Sequence, residues 1–257
     1  MNAYLSPLSS RRGADSLISS GRVTLNGQPA SLGARVLPGD TVLVDGEAVA
    51  PPEERAEHVF LVYRKPPGVV CTTDPDIPGN VVAALRLPEG FPRRVFPVGR
   101  LDKDSTGVLL LTSCGAFADA ALRGGGAKEY EVAVGRRVTE GKAGRMRGGV
   151  VITTTQQRDG GRRVRTAPTD PCEVEVLKGG GGTRFRIVLR EGRNRQIRRM
   201  AKAVGLGEVL KLERVGFLGL GAGDLEEGGW RHLDEGEMEV VKEVLEGSAS
   251  RAKKRRR

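Results

Sequence analysis

The sequence predicts an α+β protein: a small α/β module over residues 1–47, then a larger mixed domain over 58–246 built mainly on antiparallel sheet. Three observations carry this. Beyond residue 58, short apolar or alternating runs outnumber helix-like stretches, which disfavours a doubly wound sheet. Before it, turn signals at Asn26-Gly27, Pro38-Gly39-Asp40 and Asp45-Gly46 separate short strand-like runs. Between the two lies a linker, 48–57, containing the charged and proline-bearing stretch APPEERAE.

In chain order, ADSLISSG reads as a short helix closed by Gly21, and RVTLNGQPA as a strand entering a tight turn. The run VLPGDTVLVDGEAV gives a strand alternating through Val42 and Val44. In the larger domain HVFLVYRK, VVAALR, GVLLLT, KEYEVAV, CEVEVLK and TRFRIVLR read as strands. GAFADAAL and RQIRRMAKAVG read as helices, and DGGRR and KGGGGTR as glycine-lengthened loops. Residues 247–257, polar and basic, read as a disordered tail.

Apolar residues make up 38% of the 257, enough for a core, but aromatics at 4% leave that core to Val, Leu, Ala and Ile. Lys and Arg outnumber acids by 42 to 32, which favours a polyanionic partner through counterion release. The segment RAKKRRR supplies six of these positive charges, yet the body without it is still basic. Three separated cysteines (Cys71, Cys114, Cys172) and two histidines argue against a disulfide framework and a Cys/His metal site. No cofactor is expected, and a reducing compartment fits. No apolar run reaches membrane-spanning length, and MNAYLSPLSSRR lacks the apolar core of a secretory signal. The expected location is cytoplasmic for a bacterial chain and plastid or mitochondrial for a eukaryotic one, and the expected state is a monomer.

Chemistry concentrates in VGRLDKDSTGVLLLT, residues 98–112, where Asp102 and Asp104 precede a purely apolar run. Three readings compete there: a turn, a metal or paired acid/base site, or a single nucleophilic carboxylate. No further Asp, Glu or His follows in the stretch to complete a metal set. Basic residues gather elsewhere. Arg11, Arg12 and Arg22 surround the first helix and strand, and REGRNRQIRRM puts five arginines within ten residues at a helix entry that favours anions. Scattered charges usually form a solvated face; clustering at turns and a helix start is the form that grips phosphates. Tyr130, in KEY at the head of a strand, reads as packing or as a ring on which a base could stack.

Two resemblances emerge from these stretches. SSRRGADSLISSGRVTLNG with PGDTVLVDG resembles the S4-type RNA-binding module, although Pro7 interrupts its usual first helix and the approach to Ser10 is about two residues short. GRLDKDSTGVLLLT resembles the hallmark motif of the pseudouridine synthases, in the branch with an S4-like module that modifies ribosomal RNA. RKPPGVV, KEY, LREGRNRQIRRM and LERVGFLGL…LEEGGWRHLDEGE follow the family order. The resemblance implies a pseudouridine synthase catalytic domain over 58–246, with Asp102 as nucleophile and Tyr130 stacking on the target uracil. It makes Arg198, or else the neighbouring Arg195, the basic partner, Ile197 a pocket wall, and Asp104 structural. Arg100 completes the substrate set, and Arg11, Arg12, Arg22, Lys65, Arg193 and Arg195 the RNA-contacting set. The implied partner is ribosomal RNA, naked or in pre-ribosomal particles, with the closing segment leaning toward large-subunit enzymes. Two rivals remain: a non-catalytic RNA-binding or ribosome-assembly factor, and a carboxylate-based RNA hydrolase.

Overall fold

Turn chemistry dictates the small unit. The computed structural model describes residues 1–5, 8–51, 57–91, 93–158 and 161–254, and these fall into two units: Met1–Val59 with Pro88–Val95, and Phe60–Leu87 with Phe96–Arg257. In the first, α1 (Asn2–Leu5) and α2 (Arg11–Ser19) precede β1 (Val23–Leu25), β2 (Gln28–Pro29), β3 (Val42–Val44) and β4 (Glu47–Ala48). Helix α2 starts three residues ahead of the ADSLISSG run, because the Ser10 hydroxyl caps it by accepting from the Gly13 N–H at 3.1 Å. The strands order β2-β1-β3-β4. Asn26-Gly27 and Asp45-Gly46 turn the two hairpins with positive φ at both residues (51° and 78°, 52° and 86°), the backbone that a two-residue type I′ turn demands. Tyr4, Leu5, Ala14, Ile18, Val23 and Val42 form the core between helices and sheet. Helix α1 ends at Leu5; the expected interruption at Pro7 lies outside the described residues.

The second unit runs β5 (Phe60–Lys65), α3 (Val81–Leu85), β6 (Phe96–Pro97), β7 (Thr106–Thr112), α4 (Gly115–Arg123), β8 (Lys128–Val134), α5 (Glu140–Arg147), β9 (Val151–Arg158) and β10 (Gly161–Pro168). It continues through β11 (Glu173–Val176), β12 (Arg184–Leu189), α6 (Gln196–Ala203), β13 (Val209–Phe217), β14 (Leu220–Gly221), β15 (Trp230–His232) and α7 (Glu235–Lys254). The main sheet follows β11-β12-β8-β13-β7-β5-β15, with β14 on β13 and β6 on β7. Its described pairings are antiparallel apart from β13 with β7. Strands β9 and β10 make a separate two-stranded ribbon. All seven residues of β7 are buried, which explains why GVLLLT shows no polar alternation. One sheet face packs Phe60, Val62, Val108 and Leu110 against Phe117 and Ala121 of α4 and Val241 of α7, with the Phe60 and Phe117 rings edge to face at 5.4 Å.

The parallel contact joins the two halves of this sheet and is short: Glu213 pairs with Thr106 and Arg214 with Gly107. Gly107 has φ +101°, and a Cβ there would stand 2.2 Å from the Arg214 carbonyl oxygen. Only glycine allows β7 and β13 to approach this closely. The glycine of the STG triplet is therefore a packing requirement of the sheet.

Three expectations are corrected. VVAALR forms helix α3 and not a strand, because the Asn80 side chain caps it, accepting from the Ala83 N–H at 2.9 Å. In DGGRR, residues 161–163 open strand β10, while 159–160 lie outside the described residues. The segment 247–257 is helical as far as Lys254, where a disordered tail was expected. Helix α7 is held by packing of Met238, Val241, Val244 and Leu245 on the core and by a reciprocal cap at its start. There the Asp234 carboxylate accepts from the Glu237 N–H at 2.8 Å, while Glu237 accepts from the Asp234 N–H at 3.0 Å. Arg231 grips the same glutamate through both guanidinium nitrogens, at 2.5 and 2.8 Å.

Arg231 first, and then the Asp234 N–H, hold the Glu237 carboxyl below its usual range. A carboxyl lowered on folding binds fewer protons in the native state, so its stabilisation is present above the ordinary value of about 4.3 and fades as pH falls through the folded value. Glu237→Ala is expected to destabilise the protein by about 1–2 kcal/mol in urea unfolding at neutral pH, with a smaller difference from wild type at acid pH. An equal difference at both pH values would contradict the assignment.

Candidate active site

The Asp102 segment is both a turn and a presented carboxylate. The Ser105 N–H closes the turn onto the Asp102 carbonyl at 3.1 Å, and β7 begins at Thr106. One buried lysine ties this turn down. Lys65, at the end of β5, is fully buried and donates from Nζ to the carbonyls of Pro66 (2.8 Å), Lys103 (3.1 Å) and Ser105 (2.8 Å). The Gly68 N–H also reaches the Lys103 carbonyl at 2.9 Å, and the buried Cys71 Sγ accepts from the Leu101 N–H at 3.4 Å. Lys65 was expected on the RNA surface; burial corrects that, and its three donors serve the loop instead. Desolvation lowers its proton affinity, opposed by Cys71, Asp104 and Asp102.

Helix α6 supplies the partner. Arg198 Nε lies 3.6 Å from Asp102 Oδ2, with side-chain exposures of 18% and 27%, while its Nη1 donates to the Val209 carbonyl at 3.0 Å. At 3.6 Å the pair is an ion pair without a hydrogen bond, and Nε has no other acceptor. The guanidinium thus compensates the carboxylate's charge without occupying its lone pairs, the state a nucleophile needs. Arg195, the alternative, sits at the helix start with φ +50° and faces solvent. The helix begins at Gln196, so Ile197 and Met200 turn inward and are buried.

Tyr130 comes to this region through sheet register. Gly107 pairs with Arg214, Arg214 with Tyr130, and Tyr130 with Ile187, one row across β7, β13, β8 and β12. At about 4.8 Å per strand, Tyr130 lies about 10 Å from the strand that Asp102 introduces. Two cations missed by the sequence reading flank it. Arg214, 1% exposed, donates from Nε to the Val108 carbonyl at 2.6 Å and stacks over Phe217 at 5.0 Å. Lys128 stands over the same ring at 5.3 Å and donates to the Gly126 carbonyl at 2.9 Å. Burial, and then Arg214, lower the Lys128 proton affinity. Alternation marks both positions as inward-facing, the one signal that could have found them.

The remaining expected contacts divide. Arg100 and Arg195 are exposed near the turn and the helix start. Arg193 is corrected: its side chain is 7% exposed and donates to the Glu191 carboxylate (2.8 Å) and to the carbonyls of Ala167 (3.1 Å) and Pro168 (2.6 Å), stapling the end of β10. In the small unit Arg12 is exposed, the side chain of Arg11 lies outside the described residues, and Arg22 pairs with Asp45, with Nε to Oδ1 at 2.8 Å. Both members of that pair are half exposed, so the ion pair is weak and exchangeable.

A small two-helix unit with a hairpin sheet precedes a mixed sheet on which a partly exposed carboxylate, Asp102, faces Arg198, an arrangement that fits an RNA-binding enzyme. Comparison with known proteins makes this specific. Residues 59–203 match the RNA pseudouridylate synthase family and residues 3–42 the S4 domain, and the chain belongs to the RNA pseudouridylate synthase family. The dual-specificity RNA pseudouridine synthase RluF of Escherichia coli (strain K12) is 37% identical over 257 residues, covering 98% of this chain and 81% of that protein. The ribosomal large subunit pseudouridine synthase B of Bacillus subtilis (strain 168) is 31% identical over 243 residues, covering 93% of each. A crystal structure of a pseudouridylate synthase shares the fold, with a TM-score of 0.62, 24% identity, and coverage of 92% of this chain and 95% of that one.

Lys65→Met keeps the length and apolar stem but removes the Nζ donor from the Pro66 and Ser105 carbonyls, while the Lys103 carbonyl keeps the Gly68 N–H, at about 1–3 kcal/mol for an unsatisfied group. The expected result is a folded but less stable protein whose kcat falls more than about tenfold while KM for RNA stays near wild type. A raised KM with unchanged kcat would return Lys65 to the RNA surface.

Proposed function

We propose that this chain isomerises a uridine in ribosomal RNA, with Asp102 as the nucleophile. The observation that carries the reading is a partly exposed carboxylate held in charge contact with Arg198 on a clamped turn. The neighbouring guanidinium offsets the loss of water around the carboxylate when a base closes over it. The carboxylate adds to the sugar C1′ or to the base C6. On the C1′ route the carboxylate displaces N1 and is itself displaced when C5 bonds to C1′; on the C6 route the C1′–N1 bond breaks, C5 bonds to C1′, and the carboxylate is expelled from C6 as the C5 proton leaves. In both, C5 gives up a proton and N1 takes one up. Reactant and product are isomers, so no oxidant, energy source or second substrate enters. Tyr130 stacks on the uracil, assists the C5 proton's departure directly or through water, and Ile197 walls the pocket. The uridine has to leave any helix to reach Asp102, a cost of a few kcal/mol that phosphate contacts offset.

Ribosomal RNA as the substrate is supported by the S4 domain, by the chain's basic charge and by the names of the relatives, of which the Bacillus protein is named for the large subunit. Arg12, Arg100 and Arg195 are the exposed cations of the expected set that remain available to phosphates.

The decisive experiment is tritium release from [5-³H]uridine-labelled ribosomal RNA, with wild type beside Asp102→Asn. Release by wild type alone is expected, with RNA affinity preserved in the variant; retained release in Asp102→Asn would remove the nucleophile assignment. Arg12→Ala should weaken RNA binding severalfold and flatten its salt dependence by about 0.7, one single-strand phosphate contact. An unchanged slope would mean that this side chain does not meet RNA.

A further inference from the structure

Among the described residues, six buried side-chain polar atoms have no hydrogen-bond partner, and four of them lie where the Asp102 turn joins the sheet: Ser105 Oγ, Thr106 Oγ1, Arg198 Nε and Arg214 Nη2. Arg198 Nε has its counter-charge in Asp102 at 3.6 Å. Arg214 Nη2 has none. An unused donor on a buried guanidinium costs more than an unused hydroxyl, so its persistence calls for a reason.

Sheet register places Arg214. Lys65 pairs with Gly107, Gly107 with Arg214 and Arg214 with Tyr130, so the four form one row and share a face. Gly107 contributes no side chain. Arg214 is therefore the side chain of the row between the strand that follows the Asp102 turn and Tyr130, about 4.8 Å of sheet from each. Its guanidinium reaches toward β7, where Nε donates to the Val108 carbonyl at 2.6 Å. Nε and Nη2 make up one edge of the planar fork, the edge that grips two oxygens when fully used. Here one tine holds Val108, and the tine beside it holds nothing.

Negative charge is scarce around it. Arg214 is 1% exposed and Lys128 9%, and both lie over the Phe217 ring, at 5.0 and 5.3 Å. Their described hydrogen bonds go to backbone carbonyls and not to carboxylates. Two dry cations without a counter-charge form a site preorganised for negative charge that develops there.

We propose that Arg214 is a second catalytic residue: its free Nη2 donates to a carbonyl oxygen of the uracil and stabilises the charge that the base acquires. This rests on the reading that Asp102 isomerises uridine. On the C1′ route the carboxylate oxygen bonds to C1′, and the C1′–N1 electron pair leaves with the base, spread over N1, O2 and O4. On the C6 route the oxygen bonds to C6, and the C5=C6 pair moves to C5 and O4. In each case charge reaches a uracil oxygen before C5 bonds to C1′. Arg214 donates a hydrogen bond and gives up no proton.

The test compares wild type, Arg214→Gln and Arg214→Lys on ribosomal RNA with uridine, and on the same RNA with 5-fluorouridine at the modified position. Single-turnover conversion is followed by mass mapping, counting rearranged nucleotide and protein adduct together, with circular dichroism as the check of folding. Fluorine withdraws electrons and stabilises the charged base without help from the protein. The maximal rate on uridine is expected to fall about 10²-fold in Arg214→Gln with RNA affinity near wild type, the size of one lost oxyanion donor. On the 5-fluoro RNA the loss should be about tenfold smaller, and Arg214→Lys should fall between with the same bias. Equal losses on both RNAs in folded variants would make Arg214 a staple between β13 and β7 and overturn the role. Weakened RNA affinity with an unchanged rate would make it a phosphate contact and overturn the role too. Arg214→Lys keeps the buried charge and remains the deciding comparison if Arg214→Gln does not fold. If wild type converts no uridine, the synthase reading fails; conversion by wild type with equal variant losses sinks the role of Arg214 alone.

Discussion

The contact between Asp102 and Arg198 is the constraint to which the rest of the second unit is fitted. A carboxylate partly withdrawn from water needs a nearby cation, and at 3.6 Å Arg198 supplies the charge without a hydrogen bond to the carboxylate. Holding that distance takes two elements that share no local sequence. The turn before β7 carries the acid, and helix α6, which follows strand β12, carries the base. Arg198 is itself anchored by the Val209 carbonyl at the head of β13, the strand that meets β7 in parallel. The ion pair and the sheet junction are thus two ends of one arrangement.

Buried cations are the recurrent means of fixing this region. Lys65, Lys128 and Arg214 all lie inside, and their described hydrogen bonds go to backbone carbonyls. Taking a charge from water without a carboxylate is costly, so each must be held by geometry that makes every alternative worse. Lys65 holds the Asp102 turn at two points, the Lys103 and Ser105 carbonyls, and Arg214 ties β13 to β7 in the Tyr130 row. A chain with few aromatics and many cations has used its cations as internal staples. That places its surface charge in fewer residues than the sequence suggests.

Much of the fold was legible because its signals are local. Asn-Gly and Asp-Gly turns gave both hairpins of the small unit, and the unbroken apolar run 108–111 gave the most buried strand. The Asp102 stretch stood out because a turn between GRL and an apolar strand is an unusual place for acid. Failures came where partners are remote. Lys65 and Arg193 looked like surface cations, since nothing in their neighbourhoods announces the carbonyls of 103–105 or 167–168 that they serve. Arg198 was the favoured partner with Arg195 as its alternative, and the helix start, one residue after a left-handed Arg195, puts Arg198 at the carboxylate. Asn80 turned an apolar run into a helix by capping it. The polar, basic composition of 247–257 suggested disorder, but the packing of α7 on the core upstream carries the helix as far as Lys254. Segment 88–95 joins the first unit, which no contiguous reading reveals.

The most direct measurement is a trapping experiment. RNA bearing 5-fluorouridine at the modified position has no C5 proton to lose, so a carboxylate added at C6 cannot be expelled and the adduct persists, whereas one attached at C1′ leaves when C5 bonds to C1′ and frees a rearranged 5-fluoro product. Mass mapping of the incubated protein and RNA should find either the added mass on the peptide containing Asp102 or the rearranged 5-fluoro nucleotide in the RNA, and neither with Asp102→Asn. An adduct on a different residue, or one that survives the substitution, would contradict the account that the Arg198-paired carboxylate performs the chemistry.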